Sequence, residues 1–139
     1  MAASNVIRLP RREARAEPRS WAITQDGLST ALALCEEYAL PLRIRLYNGA
    51  IGQDFNAADY SVRCAEPIIQ LIGPQWCVSV DLRRTHRIRA IRPISAQAPD
   101  HLRLQCEDNS QRPLMIVSCS TAPNAPEVSL WHQILKALA

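Results

Sequence analysis

Apolar and polar residues change period along the chain, and the changes mark its elements. Leu28, Leu32, Cys35 and Ala39 recur at i, i+4, i+7 and i+11, the single apolar stripe of a helix. Asp26 is a suitable N-cap and Pro41 cannot continue a helix, so residues 27–40 are predicted helical. The period then drops to two. Leu42, Ile44 and Leu46 alternate with Arg43, Arg45 and Tyr47, which is the pattern of a strand with one buried face. Asn48-Gly49 supplies the φ > 0 pair of a tight hairpin, so Ala50 to Phe55 should run back beside the first strand.

From Tyr60 onward short apolar stretches alternate with turn chemistry. Tyr60–Cys64, Ile68–Ile72, Gln75–Leu82, His86–Arg92, Leu102–Glu107 and Leu114–Cys119 read as strands. Glu66-Pro67, Gly73-Pro74, Ala98-Pro99-Asp100 and Asp108-Asn109-Ser110 punctuate them. Connections this short force antiparallel pairing, because a parallel crossover needs a dozen or more residues. Val128, Trp131, Ile134, Leu135 and Leu138 trace one face of a closing helix, with Pro126 suited to its first turn. The predicted class is α+β: an antiparallel sheet of about seven strands with an N-terminal and a C-terminal helix packed on it.

Length and composition agree with one such domain. A chain of 139 residues would bury roughly 68% of its unfolded surface, enough for a single core. With 47% apolar and 21% charged residues it is neither disordered nor membrane-like, and no apolar run reaches the roughly 18 residues of a spanning helix. The net charge of +3 is local: Arg8, Arg11, Arg12, Arg15 and Arg19 against Glu13 and Glu17 account for all of it. Residues 1–25 therefore read as a flexible Arg-rich tail and 26–139 as the domain. The neutral domain argues against nucleic acid as partner, as does an aromatic count of seven. The tail lacks the apolar segment of a secretory signal, and Glu13, Glu17, Pro10 and Pro18 disfavour an amphipathic transit helix, so the expected location is the cytoplasm.

Five cysteines with no CxxC pair read as reduced thiols, mostly packed as small apolar residues. Their spacings of 29, 13, 29 and 13 suggest a repeat of 42, but outside the cysteines sliding the chain by 42 residues brings only Leu40/Leu82 and Arg45/Arg87 into coincidence between residues 35 and 77, so there is no repeat. Zinc would need ligands clustered at short spacing, which neither the cysteines nor His86, His101 and His132 offer. GxSxG, P-loop, Gly-rich dinucleotide, HExxH and calcium-loop motifs are all missing, so no catalytic residue is assigned. Cys119 ends a buried strand and reads as core.

The densest polar stretch is Arg83 to Arg92. Ile88 and Ala90 share one strand face, while Arg87, Arg89 and Ile91 share the other. Aligned guanidinium groups can grip carboxylates or phosphates bidentately; the blander reading is a solvated face balanced by Asp and Glu on neighbouring strands. Arg43 and Arg45 extend the same argument. His86 could ligate a metal, although a histidine at a turn edge is more often a surface residue, and His132 reads as exposed beside Trp131.

Three stretches together resemble one truncated repeat of the HemS/ChuX family of bacterial haem-utilisation proteins. They are Leu40-Pro41-Leu42-Arg43-Ile44-Arg45-Leu46-Tyr47-Asn48-Gly49; then Ile72-Gly73-Pro74-Gln75-Trp76 with Val80-Asp81-Leu82-Arg83, Arg87-Ile88 and Ile91-Arg92-Pro93; then Leu102 to Glu107, Asp108-Asn109, Leu114 to Cys119, Pro126-Glu127, Trp131 and Leu135. They span about residues 27–138. The resemblance implies an antiparallel sheet with flanking helices, doubled internally or as a homodimer, and a haem pocket serving transfer, storage or breakdown. The chain departs from the pattern in two ways. The long helical segment before the sheet is replaced by the short helix and the tail, and two positions where the family tends to have histidine fall near Phe55 and Asp81.

Haem requires an apolar slot, an axial donor and cations for two propionates. From the residues themselves, His86 is the candidate iron ligand, Tyr47 another possible donor, and Arg87, Arg89 and Arg92, with Arg43 and Arg45 on the first strand, the propionate partners, while an axial ligand carried on the family's missing helical segment would have no counterpart here. The implied role is a haem carrier in iron utilisation, with haem degradation a further activity of the family. The alternative is a non-enzymatic interaction module that has lost haem and uses the arginine-lined strand face or the basic tail to hold a protein or other anionic partner.

Overall fold

A computed structural model describes residues 19–49, 51–92, 102–122 and 125–139. It contains nine strands and two helices. These are β1 (Ser20–Ala22), α1 (Gln25–Glu37), β2 (Leu42–Asn48), β3 (Ile51–Ala57), β4 (Ser61–Ala65), β5 (Ile68–Ile72), β6 (Cys77–Asp81), β7 (Arg87–Ile91), β8 (Arg103–Glu107), β9 (Pro113–Cys119) and α2 (Pro126–Ala137). The α+β class and the antiparallel pairing are as the sequence predicts, and every predicted strand is present. The strands form two sheets: a six-stranded one in the order β1-β7-β8-β9-β2-β3, and a three-stranded meander β4-β5-β6.

The additional strand is β1. It lies within the stretch read as tail, of which residues 19–25 are described and hold this strand; residues 1–18 lie outside the described residues. Trp21 sits opposite Ala90 of β7, and its indole N–H donates to the Leu135 carbonyl at 3.0 Å. Three residues carry no legible alternation, so this strand depends on a tertiary anchor that a periodicity reading does not contain.

Helix α1 begins two residues before its predicted start, because the cap is Thr24 and not Asp26. The Thr24 hydroxyl accepts from the Gly27 amide at 2.9 Å, leaving Asp26 in the first turn, where an acid suits the helix dipole. The helix stops at Glu37 in a Schellman arrangement: the Leu40 N–H donates to the Cys35 carbonyl and the Ala39 N–H to the Glu36 carbonyl, with Ala39 at φ 51°. Its apolar stripe, Leu28, Ala31, Leu32 and Cys35, is fully buried.

Helix α1 packs against α2 and β4, and α2 against β9. Leu42, Ile44, Leu104, Cys106, Met115 and Val117 supply the inner face of the large sheet; Ile69, Leu71, Val78 and Val80 supply that of the meander. All belong to one core cluster with Trp131 and Leu135, and the Trp131 indole donates to the Leu102 carbonyl at 2.8 Å. Phe55 of β3 meets Trp76, just ahead of β6, ring to ring at 5.3 Å. Trp76 in turn lies flat over Gly73, where any Cβ would fall 2.1 Å from the indole. His132 is half-buried, not exposed, and accepts from the Leu102 amide at 3.3 Å; His101 lies outside the described residues.

Candidate functional site

The register of the large sheet decides what its outer arginines do. Pairing of β7 with β8 sets Arg87 opposite Glu107 and Arg89 opposite Gln105. Arg87 Nε donates to Glu107 Oε1 at 2.9 Å, while Arg89 Nη2 and Gln105 Nε2 both donate to Oε2 at 2.6 Å. Glu107 is only 1% exposed. Burial pushes its carboxyl up, but the bonds from Arg89, Arg87 and Gln105 outweigh this and hold it below the usual carboxylate range. Two of the predicted ligand-binding arginines are thus already paired with a buried carboxylate, the balanced strand face that the sequence offered as the blander reading.

Arg43 and Arg45 occupy the same face three strands away, and neither lines a cavity shared with Arg87 or Arg89. Arg45 forks onto Asp54 of β3 through Nε and Nη2, which lowers the acid, whereas Arg43 approaches the same carboxylate only to 3.6 Å. His86 is exposed in the turn before β7, its backbone N–H donating to the Glu107 carbonyl at 2.8 Å. The Arg92 N–H donates to the Arg19 carbonyl at 2.7 Å, beside β1. The sequence-predicted set is therefore spread over the sheet and does not converge on one point. Among the described residues no group of three or more His, Cys, Asp or Glu could hold a metal ion.

A cavity of about 650 Å³ opens instead between the two sheets, at the end where β2 turns into β3 and β9 begins. Leu46, Val80, Leu114 and Met115 give it an apolar floor, and Tyr47 stands at its edge. Its mouth carries two acids already engaged. Arg83 donates to both oxygens of Asp81 at 3.0 Å, and Asp108 accepts from the amides of Ser110 and Arg112 at 2.8 and 3.0 Å, each arrangement holding its acid below the usual range. Arg112 also reaches Asp108 at 3.3 Å, while Arg84 makes no ion pair among the described residues. The cavity thus combines an apolar wall, one phenol and two guanidinium groups, Arg84 without an ion pair among the described residues though its charge helps lower Asp81, and Arg112 only loosely held, a composition that suits an apolar ligand bearing anionic groups. Of the sequence-predicted set only Tyr47 lines this cavity; Arg84, Arg112 and Met115 line it too and were not in that set.

No family model matches the sequence, and no curated protein matches it either. Solved structures do match. The haem-binding protein PhuS from Pseudomonas aeruginosa superimposes with a TM-score of 0.73 at 12% identity, over 86% of this chain and 35% of PhuS. The E. coli haem oxygenase ChuS gives 0.71 at 11% identity, over 86% of this chain and 36% of ChuS. ChuX gives 0.67 at 12% identity, over 87% of this chain and 78% of ChuX. The chain has the HemS/ChuX fold. It spans about a third of PhuS and ChuS and most of ChuX, the proportions of a single repeat, as the sequence resemblance implies. Among the described residues no helix is long and apolar enough to cross a membrane.

Proposed function

We propose that this chain binds haem, or a related anionic tetrapyrrole, as a carrier in bacterial haem-iron utilisation, and that the ligand occupies the cavity between the sheets. The observation that carries the reading is the cavity itself, in a fold shared with proteins described as haem-binding. Its size lies within the ~300–1,000 Å³ of small-molecule sites. The residues present fit the group: Leu46, Val80, Leu114 and Met115 would face the macrocycle, and Arg84 and Arg112 would meet the propionates. Tyr47 is the candidate axial donor, and bound iron would supply the ligand's redox chemistry. His86 remains the rival donor on the turn outside the cavity.

The reading includes a cytoplasmic location, supported by the exposed free thiols of Cys64 and Cys77, which suit a reducing compartment. It includes a homodimer, supported by the outer edge of β3, which pairs with no strand among the described residues and where Ile51 is exposed. Capture of a protein partner by the arginine-lined face is the lesser reading, because Glu107 and Asp54 already occupy much of it. Hemin titration of the purified protein, followed in the Soret region against an unrelated basic protein, tests the proposal. A saturable shift of one per protomer is expected, weakened in Tyr47→Phe and Arg84→Ala and unchanged in His86→Ala. No shift beyond the control overturns haem binding; a change confined to His86→Ala moves the ligand to the turn.

A further inference from the structure

A second cavity, of about 330 Å³, lies at the opposite end of β9, β2 and β3 and shares no lining residue with the first. Its chemistry follows from register. Across the three strands, Ser118, Arg43 and Asn56 form one row, and Ile116, Arg45 and Asp54 form the row beside it. The first row therefore presents a hydroxyl, a guanidinium and an amide side by side. Ser120 and Thr121, just past the end of β9, add two more hydroxyls to the same cavity, that of Thr121 also lying 3.3 Å from Cys119 Sγ.

One acid lines the cavity, Asp54, and its position explains why Arg43 has donors to spare. Arg45 takes both Asp54 oxygens through its planar fork, the pairing geometry that best satisfies a carboxylate. Arg43 is left at 3.6 Å from one oxygen, beyond hydrogen-bond length, with its side chain 58% exposed. Two guanidinium groups against one carboxylate leave the cluster with a charge of +1. Ser118, Arg43 and Asn56 offer donors in a row on the sheet face, and Ser120 and Thr121 follow from the loop past β9. Several hydroxyl and amide donors beside one guanidinium suit an oxyanion with three or more acceptor oxygens better than a carboxylate with two.

From this geometry we infer that the Arg43–Asn56–Ser118 corner, closed by Ser120 and Thr121, is a binding site for a phosphate-type oxyanion, either free phosphate or the phosphate of a small organic monoester. Arg43 supplies the charge, and the hydroxyls and the Asn56 amide supply directional donors. Asp54 sets the strength of the site: it repels the anion directly and keeps Arg45 occupied.

The test is a titration of the ¹⁵N-labelled full chain with inorganic phosphate at constant ionic strength, following the amides of Ser118, Ser120 and Thr121 and the Asn56 side chain. Glycerol phosphate and acetate form parallel arms. Saturable shifts confined to this corner are expected with both phosphates and weaker ones with acetate. Arg43→Gln, an exposed substitution, should lower affinity about ten-fold, the size of one charge-assisted hydrogen bond. Asp54→Asn should raise it several-fold. Absence of saturation, an unchanged affinity in Arg43→Gln, or acetate binding as tightly as phosphate would each overturn the assignment. Because the two cavities are disjoint, a negative hemin titration leaves this result unaffected, and the reverse holds.

Discussion

Glu107 illustrates how far a single residue's behaviour depends on its neighbours. A carboxylate with 1% of its side chain exposed would be expelled or protonated if alone; here two arginines and a glutamine bond to it. Arg89 contributes Nη2 while its buried Nε has no partner among the described residues, so the cluster is not fully satisfied and loses heavily when one member is removed. Glu107→Ala should destabilise the protein by about 3 kcal/mol, the low end for a broken buried pair because Arg87 keeps 41% exposure. Urea unfolding measures it. The lowered carboxyl also fixes the pH dependence. Stabilisation by Glu107 is complete above the ordinary glutamate value of about 4.5 and is lost as pH falls through the lowered folded value. The stability gap between wild type and Glu107→Gln should therefore be constant near neutrality and shrink only in acid; a gap independent of pH down to the acid limit would show that charge contributes nothing there.

At the scale of elements, the Schellman end of α1 carries an avoidable strain. Ala39 holds φ 51°, a conformation costing an L-residue on the order of 1–2 kcal/mol, and glycine avoids that cost while giving up roughly 0.5–1 kcal/mol of unfolded-chain entropy. Ala39→Gly should thus stabilise by about 0.5 kcal/mol, a small rise in thermal midpoint; a fall in the midpoint would contradict the strained geometry. The sequence announced that this helix must end before Pro41, since proline is local chemistry, but not that Ala39 would turn left-handed to end it. The same division holds for the strands. Period-two alternation fixes which face Arg87 and Arg89 share, whereas the partner that neutralises them depends on which strand lies alongside and in what register, twenty positions along in the case of Glu107. The cavity was less legible still. Arg84 and Arg112 belong to two separate turns, and only the meeting of the meander with the large sheet puts them around one mouth. Tyr47 lines the cavity although the alternation of its strand sets it on the face opposite Leu46, so the pattern alone did not place it there.

For the molecule as a whole, the five thiols report on whether the two sheets and two helices open together. Cys64 and Cys77 are exposed on the meander, while Cys35 of α1, Cys106 of β8 and Cys119 of β9 are buried. Thiolate is the reactive species, and burial raises the Cys35 and Cys106 thiols to about 12, assisted by the neighbouring Cys119 and Glu107 respectively, so in the folded state they are inert as well as enclosed. Alkylation at mildly alkaline pH should modify Cys64 and Cys77 quickly and the other three only through opening. Those three come from different elements yet line one continuous apolar cluster that includes Leu28, Leu104, Val117 and Trp131. No surface of α1 or of the large sheet can expose its cysteine without separating from that cluster. The expected outcome, read by mass spectrometry of peptides over time, is two fast sites and three slow ones whose rates fall in parallel as stability rises. Faster labelling of Cys35 alone would mean that α1 detaches before the sheets part, and the core would then be two cooperative units.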